Sequence, residues 1–243
     1  MRPFILGLTS ACLLGCVTVP AMAQDRAWDF EGTFYLFTAE TKTGVNGNDV
    51  TLSFKDALEN LDMAFMAAFA ASRGPWTFAA DYMLTDLSSG FTTPGNAFSD
   101  VNASVKTQIL SAYGLYQVFE DTGTSVDVGA GFRWFKTDTD LDFSAGALPA
   151  TSVSENDDWI DPLLAVRANF DLNGKWSANV FADYGGFVSD RETWQVLLTA
   201  NYDINDAWRA RIGYRYMSVE NDEDGRDYFF EQSGPVFGIS YRF

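Results

Sequence analysis

The last eight residues of the chain, Val236-Phe237-Gly238-Ile239-Ser240-Tyr241-Arg242-Phe243, decide how the rest of the sequence is interpreted. Apolar or aromatic side chains alternate there with small or charged ones. A period of two places every second side chain on the same face of a strand. The stretch therefore predicts a β-strand with one apolar face, formed by Phe237, Ile239, Tyr241 and Phe243.

Two kinds of protein use such a strand. A soluble β-sandwich covers the apolar face with a partner sheet, whereas an outer-membrane barrel presents that face to lipid. The strand taken alone favours the soluble sandwich. The remainder of the chain favours the barrel.

The amino terminus has the features of a secretory signal peptide over residues 1–23. Arg2 precedes a mostly apolar core, and Ala21-Met22-Ala23 forms a small-x-small cleavage site. An alternative is a lipoprotein signal ending at Cys16, in which Cys16 would be acylated. Leu14 is larger than lipoprotein signals prefer, so we expect cleavage after Ala23 and a single domain over residues 24–243.

Composition restricts the partners and the chemistry. Both cysteines, Cys12 and Cys16, would leave with the signal, so disulfides and thiolate metal sites are not expected. The net charge of −17 argues against electrostatic binding to nucleic acid. The chain has no histidine, the commonest general base and metal ligand. We expect no cofactor and no metal.

Strand-like segments recur along the whole chain. Residues 64–71 are rich in alanine and are also compatible with a buried helix. Turn signals such as Gly74-Pro75 and Asn173-Gly174 separate the segments. The ten predicted strands cover 28–38, 61–71, 76–84, 105–118, 126–134, 159–170, 176–184, 193–202, 208–217 and 236–243.

The connections between these segments alternate in length, as in outer-membrane barrels, which have short periplasmic turns and longer outer loops. Short turns are expected near 72–75, 119–124, 171–175 and 203–207. Longer connections are expected near 41–60, 86–104, 137–157, 185–191 and 218–229, with a short helix or an extended lip at 53–60. The sequence thus predicts an all-β fold, a closed antiparallel transmembrane barrel of ten strands, with eight as the alternative.

Tryptophans support the membrane interpretation. Aromatic residues make up 16% of the chain, and barrels use them in girdles at the two membrane interfaces. Four tryptophans each begin a strand that leaves the predicted periplasmic side. The predicted membrane-interface girdle is Trp28, Trp76, Trp176 and Trp208.

With these segments in view, the chain resembles the small outer-membrane β-barrel proteins of Gram-negative bacteria, broadly the outer-membrane protein W/A-like superfamily. The resemblance rests on Trp159–Phe170, on Trp194-Gln195 leading to Trp208–Tyr216, and on Ser233–Phe243. It implies outer-membrane localisation and contact with lipid and lipopolysaccharide. It also implies that the terminal Phe237, Ile239, Tyr241 and Phe243 form the signal read by the barrel-assembly machinery.

Enzymatic function is not expected. Outer-membrane proteases, phospholipases and deacylases commonly use a histidine paired with Asp or Ser, and the chain contains none. A hydrolase using only carboxylates, such as Asp81 and Asp183, is the remaining enzymatic hypothesis.

Charged residues at the positions facing away from lipid are the expected lumen-lining groups. If fully paired, they would close the barrel; if incompletely paired, they would line a selective channel. The predicted lumen-lining charges are Asp62, Asp81, Asp127, Arg133, Asp161, Arg167, Asp183, Arg209, Arg211 and Arg215, with Arg242 from the last strand. On the segment at 105–118, Ile109, Tyr113 and Leu115 are expected to face lipid.

Two acidic clusters could in principle bind Ca²⁺ through oxygen ligands. They are Asp138, Asp140 and Asp142, and the run from Asn221 to Asp224. Neither matches a calcium-loop pattern, and solvated outer loops are the preferred interpretation.

The sequence therefore predicts an integral outer-membrane barrel with a structural role or a narrow pore for small solutes. The alternative is a surface binding or adhesion module that uses the long outer connections.

Overall fold

Twelve strands and one short helix make up the part of the chain described by the computed structural model, residues 27–45, 48–92, 96–187, 190–222 and 227–243. The predicted signal peptide lies outside the described residues. The strands are β1 (Asp29–Phe37), β2 (Glu40–Val45), β3 (Asn48–Leu52), β4 (Leu61–Arg73), β5 (Trp76–Thr92), β6 (Phe98–Asp121), β7 (Thr124–Ala145), β8 (Thr151–Asn173), β9 (Trp176–Gly185), β10 (Arg191–Asp203), β11 (Trp208–Asn221) and β12 (Tyr228–Arg242), and the helix is α1 (Phe54–Glu59).

Ten of these strands close into a barrel. From β4 to β12 each strand pairs antiparallel with the next, and β1 pairs with both β4 and β12. The closing pair places Phe34 opposite Ile239. Closure leaves no lipid-exposed strand edge around the ring, as a membrane-spanning sheet requires. The prediction of a closed ten-stranded antiparallel barrel is confirmed.

The remaining two strands form a hairpin above the ring. β2 continues from β1 and pairs with the first half of β12, and β3 pairs back onto β2. Between β3 and β4 the chain forms α1, which Ser53 caps by accepting a bond from the Asp56 backbone N–H at 3.2 Å. The helix predicted as one option for 53–60 is therefore present.

Turns of two to four residues join the strands at one end of the barrel. They lie at 74–75, 122–123, 174–175 and 204–207, and in outer-membrane barrels such turns face the periplasm. The alanine-rich segment 64–71, which could have been a helix, is part of β4 and pairs with β5. Over the described residues, helices fall short of the length and apolar character needed to cross a bilayer.

At the opposite, extracellular end, the strands are much longer than predicted. β6 has 24 residues, or roughly 80 Å of extended chain, against an apolar band of about 25 Å. The predicted loops at 86–104 and 137–157 are therefore wrong in most of their length, because β5 to β8 continue through them. Outside the membrane both faces of a strand can meet water, so the alternation that reveals a spanning segment is lost there.

The two faces of the barrel wall follow the predicted alternation except on β6. Ile109, Tyr113 and Leu115, which we expected to face lipid, are buried inside the barrel. Both faces of this segment are apolar, with Leu110, Tyr116 and Val118 on the outward one, so alternation did not identify the lipid side. A bulge follows at its end, where the β6–β7 register shifts between Gln117 and Phe119. A one-residue shift moves every side chain beyond it to the other face.

Candidate functional site

The lumen holds most of the charged residues that the sequence placed there. Asp62 differs, because it lies at a register shift between β4 and β5, is exposed, and accepts a hydrogen bond from Ser88 at 2.5 Å. The remaining predicted charges lie on the inward face and contact one another or neutral polar groups. They are Asp81, Asp127, Arg133, Asp161, Arg167, Asp183, Arg209, Arg211 and Arg215, joined by Arg242.

The centre of this arrangement is an ion pair between β7 and β9. Nη2 of Arg133 lies 3.0 and 2.9 Å from the two carboxylate oxygens of Asp183, and both side chains are 0% exposed. The Arg133 guanidinium also donates to Ser111 at 3.1 Å and to Thr193 at 2.5 Å. Tyr113 donates to Asp183 at 2.7 Å. Both charges are thus desolvated by protein groups that satisfy their hydrogen bonds.

A second ion pair lies beside the first. Arg215, 2% exposed, has Nη2 3.3 Å from Asp81 and donates through Nη1 to Tyr35 at 3.0 Å. Tyr35 in turn donates to Asp81 at 2.8 Å. Gln195 joins the two pairs, since it accepts from Arg215 at 2.9 Å and donates to both Tyr113 and Asp183. We call the residues of these two pairs and Gln195 the central polar layer.

Asp81 and Asp183, considered above as a carboxylate pair for hydrolysis, therefore belong to different ion pairs. Each carboxylate is held by its own arginine and its own tyrosine. The arrangement pairs each carboxylate with a cation and separates the two from each other. It has the chemistry of a structural network.

A further group of charges lies nearer the periplasmic end. Asp203 accepts from Arg209 at 2.6 Å and from Arg242 at 2.8 Å. Glu31 contacts Arg211 and lies 3.5 Å from Arg242. These side chains are partly exposed, so water at the periplasmic end can reach them. We call this group the periplasmic cluster.

Three other predicted charges have local partners. Arg167 donates to Asp127 at 2.9 Å and to Thr77 at 3.0 Å. Asp161 accepts from the Trp159 indole at 3.0 Å and lies 3.5 Å from Arg191. These pairs join strands of the same part of the wall, whereas Arg215 on β11 and Asp81 on β5 are joined across the lumen.

Above the central polar layer, on the extracellular side, the lumen is filled by apolar side chains. Phe135, Met217 and Val219 are completely buried there, although they belong to the inward face of a membrane barrel. The Phe135 ring packs against Trp159 and Phe230, with ring centroids 4.7 and 5.4 Å apart. We call this group the apolar layer. Its other buried members are Phe37, Ala39, Met66, Met83, Ile109 and Val236.

The apolar layer was not predicted from the sequence. Only charges were predicted on the inward face. Phe135, Met217 and Ile109 also occupy inward positions, near the extracellular ends of their strands. An inward-facing apolar residue on several strands at the same level is the signal that would have revealed a filled lumen. On β6, apolar residues on both faces also hid the inward position of Ile109.

The acidic clusters considered for Ca²⁺ do not form a metal site among the described residues. Asp138 lies 3.1 Å from Lys136, which neutralises it. Glu223 and Asp224 lie outside the part of the chain that the structure describes.

The residues expected at the membrane surface point outward. The indoles of Trp28, Trp76, Trp176 and Trp208 are exposed on the outer face at the periplasmic end. The terminal set Phe237, Ile239, Tyr241 and Phe243 is exposed on the same face. The outward positions of the barrel thus form a broad apolar surface, which in water would be far larger than a soluble monomer tolerates.

Comparison with known proteins identifies similar folds, but no matching protein family and no matching curated protein. No protein-family model matches the chain. No curated protein matches it either. The outer membrane protease OmpT from Escherichia coli is a similar solved structure, with 9% identity, a TM-score of 0.60, and coverage of 88% of this chain and 97% of that one.

Two other solved structures align over similar lengths. The translocator domain of the autotransporter NalP from Neisseria meningitidis has 14% identity and a TM-score of 0.47, covering 89% of this chain and 87% of that one. The attachment invasion locus protein Ail of Yersinia pestis has 13% identity and a TM-score of 0.37, covering 89% and 98%. Together with the closed barrel described above, the similarity to OmpT shows that this chain has the fold of the Gram-negative outer-membrane β-barrel proteins.

Proposed function

We propose that the protein is a non-enzymatic outer-membrane barrel that does not conduct solutes at rest and that holds an acidic β-sheet at the cell surface as a binding platform. The observation that carries the proposal is the burial of the Arg133–Asp183 pair, whose side chains are 0% exposed. A charge that lines a water-filled pore is in contact with water. These charges are sealed from it on all sides.

The layers on both sides of that pair support a closed lumen. An ion crossing from outside would first have to enter the apolar layer around Phe135 and Met217, where it would lose its hydration without gaining polar partners. It would then have to displace the hydrogen bonds that hold Arg215 and Asp81. The arrangement therefore favours the structural or binding role over the narrow pore.

The length of strands β5 to β8 and the negative charge of their outer parts support a role at the cell surface. The long extracellular parts of β5 to β8 raise a sheet well above the apolar band. Residues 85–108 and 135–158 contain eight acidic residues and two lysines. A closed barrel that carries such a sheet is suited to interaction at the surface.

A non-enzymatic role fits the residue inventory. OmpT is a protease, but at 9% identity the similarity concerns the fold. This chain has no histidine, and its most buried carboxylate, Asp183, is engaged by Arg133 and Tyr113. A buried, fully hydrogen-bonded carboxylate is poorly placed to activate water for attack on a substrate.

The proposal includes the route to the membrane. Residues 1–23 direct export and are removed after Ala23, and the outward face of β12 is read by the barrel-assembly machinery. The exposed Phe243, at 74%, is available for such recognition before the barrel enters lipid. In the bilayer, Trp28, Trp76, Trp176 and Trp208 then lie at the periplasmic interface, and the barrel contacts phospholipid there and lipopolysaccharide in the outer leaflet.

Planar-bilayer recording of the refolded chain tests the closed lumen. We expect no discrete single-channel steps from the unmodified protein. The matched measurement is the double variant Arg133→Ala and Asp183→Ala, which removes the more buried ion pair of the central polar layer without leaving an unpaired buried charge, and should increase conductance. Discrete steps from the unmodified protein, with ion selectivity altered by Arg211→Ala or Asp81→Ala, would instead establish a pore.

A further inference from the structure

The barrel wall is interrupted at its extracellular end between β3 and β5. β5 pairs with β4 only as far as Leu87, opposite Leu61. It then continues to Thr92 while paired on its other side with β6. Among the described residues, β3 has β2 as its single strand partner. The chain forms α1 between β3 and β4 instead of a further strand. Among the described residues, the upper part of β5 therefore has no strand partner on this side, and we call it the open edge.

The backbone groups that face this opening can be identified. The Ser88 N–H donates to the Asn60 carbonyl at 2.9 Å, so Ser88 directs its backbone groups away from β6. Successive residues of an extended strand direct their N–H and C=O groups to alternate sides. Because the β5–β6 register is continuous from Trp76 to Thr92, Gly90 and Thr92 also face the open edge.

An open strand edge is a template for pairing with another chain. Edges in soluble proteins are commonly blocked by lysine, proline or a bulge. The described part of this edge has none of these, since Ser88, Ser89, Gly90 and Thr92 are small and uncharged. The segment therefore lacks the features that discourage strand addition.

The charge around the edge indicates which partner it fits. Asp62 is exposed beside Ser88, and Asp86 lies on β5 just below the opening. The two lysines of the protruding sheet, Lys106 and Lys136, lie opposite or beside carboxylates, at Asp86 and Asp138 respectively. The sheet as a whole retains a large excess of negative charge, which would attract a cationic segment and repel a second copy of this acidic chain.

We propose that the open edge of β5 at Ser88–Thr92 binds an extended, lysine- or arginine-rich polypeptide segment of a partner protein as an added strand. The proposal rests on the surface-binding role given above. Backbone hydrogen bonds from Gly90 and Thr92 provide the pairing, and the acidic sheet selects a cationic sequence. Attraction between the charges also speeds encounter and makes binding sensitive to salt.

The test uses the full refolded chain in detergent micelles and a labelled ten-residue peptide in which lysine alternates with valine. We expect saturable binding that weakens at least tenfold between low and high salt. A peptide of the same sequence, N-methylated at every residue, keeps its charge but has no backbone N–H and cannot pair along either edge. It should bind at least tenfold more weakly. Equal binding of the two peptides would overturn strand addition.

A matched pair of variants locates the site. Gly90→Pro removes one backbone donor from the open edge, and proline is compatible with a strand position whose N–H is not used in a ladder. We expect it to weaken peptide binding at least tenfold. Gly90→Ala keeps the donor and should bind nearly as well as the unmodified chain, since its Cβ would meet the Asn102 side chain, which can rotate away.

Two other ligands of this edge, a sulfated polysaccharide and a second copy of the chain, would give different results. Binding of a sulfated polysaccharide in place of the cationic peptide, or a concentration-dependent dimer that Gly90→Pro abolishes, would overturn the assignment of the partner. The bilayer recording keeps this proposal separate from the closed lumen. A conducting barrel that still binds the peptide refutes the closed lumen alone, whereas a silent barrel that fails to bind it refutes the strand addition alone.

Discussion

Arg133 and Asp183 come from strands β7 and β9 and meet inside the barrel, where one guanidinium nitrogen lies 3.0 and 2.9 Å from the two carboxylate oxygens. Neither side chain reaches solvent. A buried pair of this kind is costly to break, because the charge that remains has lost its partner and cannot regain water. Stability should therefore depend more on the pairing than on the presence of charge.

Arg133→Ala should lower the free energy of unfolding by about 3–5 kcal/mol, since it leaves Asp183 buried and uncompensated. The double variant Arg133→Met and Asp183→Leu should recover most of that loss. Urea unfolding in detergent micelles, followed by tryptophan fluorescence, measures both. As the control, Arg209→Ala in the partly hydrated periplasmic cluster should cost much less, because Asp203 keeps Arg242 and has access to water. Equal losses for Arg133→Ala and Arg209→Ala would contradict the prediction.

The apolar layer gives a second prediction. Phe135→Ala should destabilise the barrel by about 3–5 kcal/mol, because the ring is fully buried against Trp159 and Phe230 and its removal leaves a cavity. Phe65→Ala, which removes an outward-facing ring of the same size, should cost less because lipid chains can fill the space. The midpoint of urea unfolding compares the two. A larger loss for Phe65→Ala would show that the layer contributes little to stability.

Gly131 gives a third prediction, which concerns backbone packing. A Cβ at Gly131 would lie 2.0 Å from the Ala112 carbonyl oxygen on the neighbouring strand, which is too close for the sheet to accommodate without local displacement. Gly131→Ala should therefore reduce the yield of folded, heat-modifiable barrel on a gel. Gly114→Ala is the matched control, since its Cβ would meet only the Phe78 ring at 3.6 Å. Similar yields of the two variants would indicate that the wall is more deformable there than the structure implies.

A fourth prediction concerns orientation. An epitope tag inserted near Gly146 should be accessible to antibody on intact cells, because it lies in the turn between the long strands β7 and β8. A tag near Gly174, in one of the short turns, should become accessible only after the outer membrane is permeabilised. The reverse pattern would place the short turns outside and invert the assignment of the two ends.

The membrane-spanning part of the fold could be predicted from the sequence because lipid imposes a strict rule on it. Along β11, Trp208, Ile212 and Tyr214 had to alternate with Arg209, Arg211 and Arg215, and the alternation gave both the strand and its inner face. The same rule gave Asp183 on β9 and Gln195 on β10 as inward residues. Which of them pair could not be read from it, since the pairing of Arg133 with Asp183 depends on distances across the lumen.

Two features of the structure could not be predicted from this alternation. Above the membrane both faces of a strand can be wetted, so the extensions of β5 to β8 lacked a pattern and were expected to be loops. On β6, apolar side chains lie on both faces from Ile109 to Val118, so alternation did not show that Tyr113 and Leu115 point inward, and a bulge follows between Gln117 and Phe119. A bulge adds one residue without changing composition, and an isolated sequence with apolar residues on both sides of it contains little to reveal one.

The central polar layer has a consequence for biogenesis. Tyr35 on β1 and Arg215 on β11 contact each other across 180 positions of sequence, and Arg215 also reaches Asp81 on β5. Neighbouring hairpins can zip early, but these partners meet only when the sheet curls into a ring and its first and last strands join. The stabilisation from these contacts thus arrives in the final step of folding, whereas the Arg133–Asp183 pair joins β7 and β9 and involves neither the first nor the last strand. A chain truncated before β12 would keep its hairpins and lose the contacts of Arg215 with Tyr35 and Asp81.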